Sequence, residues 1–215
     1  VTQYRGRLAA LALIAVASTS LAGCGANTIP TKEEAAKQKW ADVQTAYQRR
    51  ADLIPNLVAT VKGYAAQEKS VLVEVAEARA KATSVTVDPS AISDPAKFKQ
   101  FEQAQGGLSS TLGRLLVVQE RYPELKSDRN FMALQSQLEG TENRIAIARR
   151  DYNEAAATYN LELHTFPGVL WASTIYKAEK PMQLFSATAA AQSAPTVSFD
   201  AAPAAAPGSA PPAKP

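Results

Sequence analysis

The stretch WADVQTAYQRRADLIPNLVATVKGY, Trp40 to Tyr64, decides the fold. Its large apolar residues stand at Trp40, Val43, Tyr47, Ile54, Leu57, Val61 and Tyr64, and steps of three, four and seven place them on one stripe of a helix. The same spacing runs on through Val71, Val75, Ala78 and Ala82, so the pattern predicts helix from Lys32 to Ala82. Pro55 interrupts it: proline has no backbone N–H, and its ring meets the carbonyl of Ala51 one turn earlier. Because the seam keeps phase across Pro55, a kinked continuous helix is favoured. A break at which Asp52 caps a new helix is the alternative.

Beyond the turn residues Asp88-Pro89 and Asp94-Pro95, a second seam runs through Phe98, Phe101, Leu108, Leu112, Leu115 and Tyr122, and ends before Pro123. Gly106-Gly107 inside it predicts a locally soft helix, since each glycine costs up to about 1 kcal/mol relative to alanine. Ser127 or Asp128 then caps a third seam, Phe131, Leu134, Leu138, Ile145, Ala148, Tyr152, Ala155 and Tyr159, which Phe166-Pro167-Gly168 stops. No alternating β-branched run with hairpin turns is present. The fold class is therefore all-α, an antiparallel three- to four-helix bundle. An unbroken first helix would be roughly 77 Å long, more than the other two can cover. Its start either projects as a stalk, or it folds at Pro55 and supplies a fourth helix.

Flanking regions have other compositions. Arg5 and Arg7, the apolar run Leu8 to Val16 and the sequence Leu21-Ala22-Gly23-Cys24 resemble a bacterial lipoprotein signal with its lipobox. That resemblance implies cleavage before Cys24 and acylation of Cys24. More than one acyl chain then anchors the mature protein stably, at roughly 0.8 kcal/mol per buried methylene. Residues 1–23 are thus a signal peptide and 24–31 a short linker, followed by the bundle over 32–185. With Cys24, the sole cysteine, acylated, no thiol is left for disulfides, nucleophilic chemistry or metal binding. From Ser186 to Pro215 the chain is rich in alanine and proline and too poor in large apolar groups to fold, which predicts a disordered tail, either a spacer or an arm that reaches a partner. The formal charge of +3 includes Arg5 and Arg7. A nearly neutral mature chain without a basic cluster argues against nucleic acid.

Polar residues on the seams are the sharpest local clues: Arg50, Glu68 and Thr141. A charge facing the core needs a partner, and Glu139 and Glu142, beside Asn143 and Arg144, stand at mid-helix where they can serve Arg49 or Arg50. A structural ion pair that fixes helix register is the simpler reading; a polar functional site is the other. Metal chemistry lacks its ligands, because the only histidine, His164, has Leu161 three residues before it instead of a glutamate. No serine–histidine pair, phosphate loop or cofactor motif is present, so neither catalytic residue nor cofactor is expected. The apolar stretch Phe166 to Phe185 either caps the bundle end or docks on a membrane surface or a partner.

Two stretches are more specific than periodicity: Gln48 to Val58 with Val61-Lys62-Gly63-Tyr64, and Glu139-Gly140-Thr141-Glu142-Asn143-Arg144-Ile145. Both resemble the LemA family, as do Glu77-Ala78-Arg79-Ala80, Gly113-Arg114-Leu115-Leu116, Tyr122-Pro123-Glu124-Leu125-Lys126, Tyr152-Asn153, Tyr159-Asn160 and Phe166-Pro167. The resemblance spans Trp40 to Tyr176 and implies a helical bundle near a membrane or facing an extracytoplasmic space, without an assigned reaction. Arg49, Arg50, Asp52, Glu139, Glu142 and Asn143 match its motifs and form the candidate polar core or partner site. The lipobox departs from the N-terminal transmembrane helix usual in that family. The expected function is that of an envelope lipoprotein on the inner or outer membrane, facing the periplasm, which binds another envelope protein or itself as a scaffold or adaptor. An enzyme subunit or a lipid-binding or small-ligand-binding module using Arg50 and Glu142 is the alternative.

Overall fold

The structure, a computed structural model, describes residues 25–186. The signal segment, the lipobox Leu21 to Cys24 and the tail from 187 onward lie outside the described residues. The described residues form six α-helices, in order α1 Thr28–Tyr64, α2 Lys69–Ser84, α3 Pro95–Val118, α4 Pro123–Lys126, α5 Arg129–His164 and α6 Gly168–Thr174. Among the described residues there is no strand. No helix there is long and apolar enough to cross a membrane.

Helix α1 passes through Pro55 without a break. It ends instead at Tyr64, and the chain turns at Ala65 to Glu68 before α2 runs back along it. This corrects both expectations for the first pattern: it is neither one helix to Ala82 nor a helix folded at Pro55. The turn lacks proline and glycine, and Tyr64 and Val71 on either side of it are seven residues apart, so the apolar period continues straight through it. With α2 as the fourth long helix, the bundle alternates in direction through α1, α2, α3 and α5. At 1.5 Å rise, the 37 residues of α1 and the 36 of α5 make an antiparallel pair about 55 Å long. The shorter pair α2–α3 covers it.

Helix starts follow their sequence signals. The Asp94 carboxylate accepts from the backbone N–H of Ala96 at 2.9 Å, with Pro95 in the first turn of α3. Asp128 accepts from Phe131 N–H at 2.8 Å and starts α5. At the other end of α5, Gly168 has a steric role: a Cβ there would stand 2.2 Å from the carbonyl oxygen of Glu162. Only glycine lets α6 fold back so closely onto the end of α5.

The core has two parts. One is aromatic, with Trp40, Tyr47, Phe98, Phe101, Tyr152 and Phe185 in mutual ring contact. The other is mainly aliphatic, built on Ile54, Leu57, Val61, Leu72, Val75, Leu108, Leu112, Leu115 and Leu138, with Phe131. The seam residues of α1 from Trp40 to Val61 are all buried as expected, but Tyr64 is 44% exposed and points its hydroxyl to Asp128.

After a turn at 177–178, residues 179–185 lie along α5 as a strap without helix or strand of their own. The Asn153 amide donates to Phe185 O and accepts from Phe185 N–H, both at 2.9 Å. One heptad later, the Asn160 amide does the same for Met182, at 2.9 and 2.8 Å. The neighbouring Tyr152 donates to Gln183 O at 2.8 Å, and Tyr159 to the Glu179 carboxylate at 3.1 Å. The repeated Tyr-Asn dipeptide is thus a clamp on the strap. Burial pushes both phenols well above the usual tyrosine range, and the nearby Glu179 adds to the effect at Tyr159. The Phe166 to Phe185 segment accordingly divides: α6 caps the bundle end, while Met182 and Phe185 enter the core.

Candidate functional site

Three seam positions carry buried polar side chains on three different helices: Arg50 on α1, Gln105 on α3 and Thr141 on α5, exposed by 1%, 7% and 4%. Each stands between the aromatic and the aliphatic core in its own helix, Arg50 between Tyr47 and Ile54, Gln105 between Phe101 and Leu108, Thr141 between Leu138 and Ile145. Together they mark a polar layer across the bundle.

Arg50 organises this layer. One terminal nitrogen (Nη1) donates to Ser109 Oγ and to Glu142 Oε1, each at 2.7 Å. The other donates to Gln105 Oε1 at 2.7 Å and to Gln105 O at 3.3 Å. Gln105 passes the network on by donating to Ala82 O at 3.1 Å, which ties in α2. The guanidinium carbon lies 5.1 Å from the Tyr47 ring centre, within cation–π range. Burial raises the Tyr47 phenol above the usual tyrosine range against the opposing pull of Arg149 and Arg50. Arg50 Nε has no hydrogen-bond partner. Arg50 thus joins α1 to α3 and α5, Gln105 extends the network to α2, and Glu142, whose side chain is 48% exposed, and the exposed Ser109 open it to solvent. Both terminal nitrogens are engaged, so the arrangement fixes helix register and leaves little to offer a substrate.

Of the residues singled out in sequence, the structure joins Arg50 and Glu142. Thr141 turns its hydroxyl to Leu138 O at 2.7 Å and stays within its own helix. Glu68 is not on a seam of α1; it is the residue just before α2, and its carboxylate accepts from Tyr122 at 2.9 Å and Arg121 at 3.1 Å. Glu139 is exposed and pairs with Gln135, Asp52 is exposed and pairs with Gln48, and Asn143 is exposed. These three belong to the surface, because each lies one or two positions off the seam. Gln105 and Ser109 escaped sequence reading: the gap from Phe101 to Leu108 is seven residues, and the position between them is the hint.

Arg49 and Arg144 line an open groove of about 350 Å³ between α1 and α5, together with Leu53, Gln137, Gly140 and Thr141. Neither arginine forms an ion pair or hydrogen bond with a described residue. Gly140 forms part of the groove floor; a Cβ there would meet nothing within 4 Å, so no contact inside the chain requires glycine at that helix-interior position. A second pocket, between Gln44, Tyr47 and Gln105, measures about 90 Å³. It is small beside the several hundred Å³ of a typical ligand site. Among the described residues no group of three or more histidine, cysteine, aspartate or glutamate side chains could hold a metal ion.

The chain shows similarity to known proteins. It is 30% identical over 157 residues to magnetosome protein MamQ 1 of Paramagnetospirillum magneticum, covering 66% of this chain and 58% of that protein. It is 29% identical over 176 residues to magnetosome protein MamQ of Magnetospirillum gryphiswaldense, covering 74% and 64%. It is 25% identical over 125 residues to protein LemA of Metamycoplasma hominis, covering 58% and 52%. The chain thus spans between about half and two thirds of the length of these relatives. A family profile, that of the LemA family, matches residues 39–199, well over half of the sequence and including the polar layer, the groove and the strap; the chain belongs to the LemA family.

Proposed function

We propose that this protein is a lipid-anchored adaptor of the bacterial envelope, held on a membrane through Cys24, that works by binding a segment of another protein and catalyses no reaction. The observation that carries this reading is the α1–α5 groove, where Arg49 and Arg144 have no ion-pair partner among the described residues and stand over an open, partly apolar floor. Two unneutralised guanidinium groups favour a carboxylate-bearing partner, since arginine pairs with carboxylates in bidentate geometry. The partner is therefore an acidic peptide segment. Use of Arg50 and Glu142 by an enzyme subunit is less well supported, because the Arg50 hydrogen bonds are already directed at Ser109, Gln105 and Glu142.

A photoreactive residue in place of Gln137, in the groove, tests the reading in living cells. The expected result is one abundant adduct with another envelope protein that disappears when Arg49→Gln and Arg144→Gln are combined. An adduct unchanged by that pair, or recovery of the chain crosslinked only to itself, contradicts it.

A further inference from the structure

The bundle has one end at which α1 begins and α5 stops, fastened by the Lys32–Glu162 ion pair at 2.5 Å. Helix α6 lies across this end. Its inner side is packed, with Gly168 against Glu162 and Trp171 and Ala172 against the aromatic core. The large apolar residues on and around it are exposed: Phe166, just before α6, by 80%, Leu170 on it by 53% and Ile175, just after it, by 62%, with Val169 and, on the last turn of α5, Leu161. Five of the eleven exposed large apolar side chains among the described residues thus fall between residues 161 and 175. Single exposed apolar residues are ordinary, whereas such a concentration at one end of a bundle calls for something to cover it.

The course of the chain identifies the cover. Gly25 packs against α6: a Cβ there would stand 3.1 Å from Trp171 Nε1 and 3.3 Å from Pro167 Cγ. Cys24 is the preceding residue, and consecutive Cα atoms are about 3.8 Å apart. An acyl group carried just ahead of Gly25 is therefore tethered to the end of the bundle that α6 covers. Lys177, exposed two residues beyond Ile175, adds a cation suited to anionic headgroups, while the nearby Glu162 is buried and neutralised by Lys32. The opposite end of the bundle carries the ion pairs Arg121–Glu68 and Lys126–Glu120.

We propose that the end face formed by Leu161, Phe166, Val169, Leu170 and Ile175 rests in the headgroup and upper acyl region of a lipid bilayer, so that the bundle stands on the membrane by this end. The proposal builds on the reading that Cys24 is acylated. The acyl chains hold the protein to the membrane and the end face sets its orientation, lifting the groove at Arg49 and Arg144 clear of the surface. Interfacial helices insert about 5–10 Å, a depth that a single turn of apolar side chains can reach.

The test uses full-length protein extracted from membranes and reconstituted in vesicles of phosphatidylethanolamine and phosphatidylglycerol. With Cys24 acylated, Leu170→Cys and Lys126→Cys each supply one free thiol for a nitroxide label. The label at 170 should collide more with dissolved oxygen than with an aqueous nickel chelate, and the label at 126 should show the reverse. A label at 170 that is open to the nickel chelate, or shielded from both reagents by protein, overturns the proposal. Matching melting temperatures of the labelled and unlabelled proteins establish that neither substitution disturbs the fold. Label taken up by the unsubstituted protein would mean a free Cys24 and would sink the anchor separately; the end face is then judged in a Cys24→Ser background by the same two labels.

Discussion

The guanidinium Nε of Arg79 on α2 donates to the backbone carbonyl of Ala51 on α1 at 2.8 Å. Ala51 is the residue whose carbonyl Pro55, four positions on and lacking an N–H, leaves without its helical donor. Arg79 thus takes over the bond that proline deletes, which is how α1 runs on through Pro55, and the same bond positions α2. Replacing Arg79 by methionine keeps the apolar stem and strands a buried carbonyl, a loss of about 1–3 kcal/mol in denaturant unfolding. In a Pro55→Ala background, where the helix satisfies Ala51 itself, the same replacement should cost at least about 1 kcal/mol less. Equal costs in both backgrounds would contradict the account.

The polar layer should respond unequally to its two charged members. Arg50→Met removes bonds to three side chains and should destabilise by about 3 kcal/mol, because Gln105 and Ser109 lose buried partners. Glu142→Gln should cost no more than about 1 kcal/mol, its side chain being half exposed. Unfolding curves of the two variants give the comparison directly.

Loss of the asparagine clamp should free the strap before it unfolds the bundle. Asn153→Ala with Asn160→Ala removes four hydrogen bonds to Met182 and Phe185. At about 1 kcal/mol for each bond, amide exchange at 182 and 185 should rise by orders of magnitude, while exchange in the middle of α1 changes far less. Uniform acceleration along the chain would mean that the strap and bundle open as one unit.

Acid should weaken the start of α5 through Asp128. The Phe131 N–H bond holds its carboxyl below the usual aspartate range, helped by Tyr64. A lowered folded pKa contributes stability that is fully present above the ordinary carboxylate value of about 3.9 and is lost as pH falls through the folded value. The melting temperature should therefore fall below about pH 4, and fall less steeply in Asp128→Asn, which accepts the cap bond without titrating.

Much of this was legible in the sequence because the relevant physics is periodic. The buried stripe of α1, a cap at Ser127 or Asp128 and a mid-helix glutamate as partner for a core arginine follow from spacing of three and four and from the need of a core charge for a partner, while the choice of Asp128, Arg50 and Glu142 from those candidates took the structure. The turn at Ala65 to Glu68 was hidden because its residues are good helix formers and keep the apolar phase. Gln105 was hidden because a polar residue in a seven-residue gap looks like an ordinary surface position. The strap at 179–185 has no period at all, being held by side-chain amides on another element, and the repeated Tyr-Asn dipeptides mark it only once the fold is known. The unneutralised pair Arg49 and Arg144 depends on which helices adjoin, which spacing within one helix does not reveal.

Adaptor binding at the groove and docking of the end face both depend on how the chain is held. The most direct measurement is the intact mass and N-terminal peptide of the protein extracted from bacterial membranes. The account predicts a chain that begins at Cys24 and carries the added mass of a diacylglycerol and an amide-linked acyl group, with no reactive thiol. A chain that retains residues before Cys24 and an alkylatable thiol would contradict it.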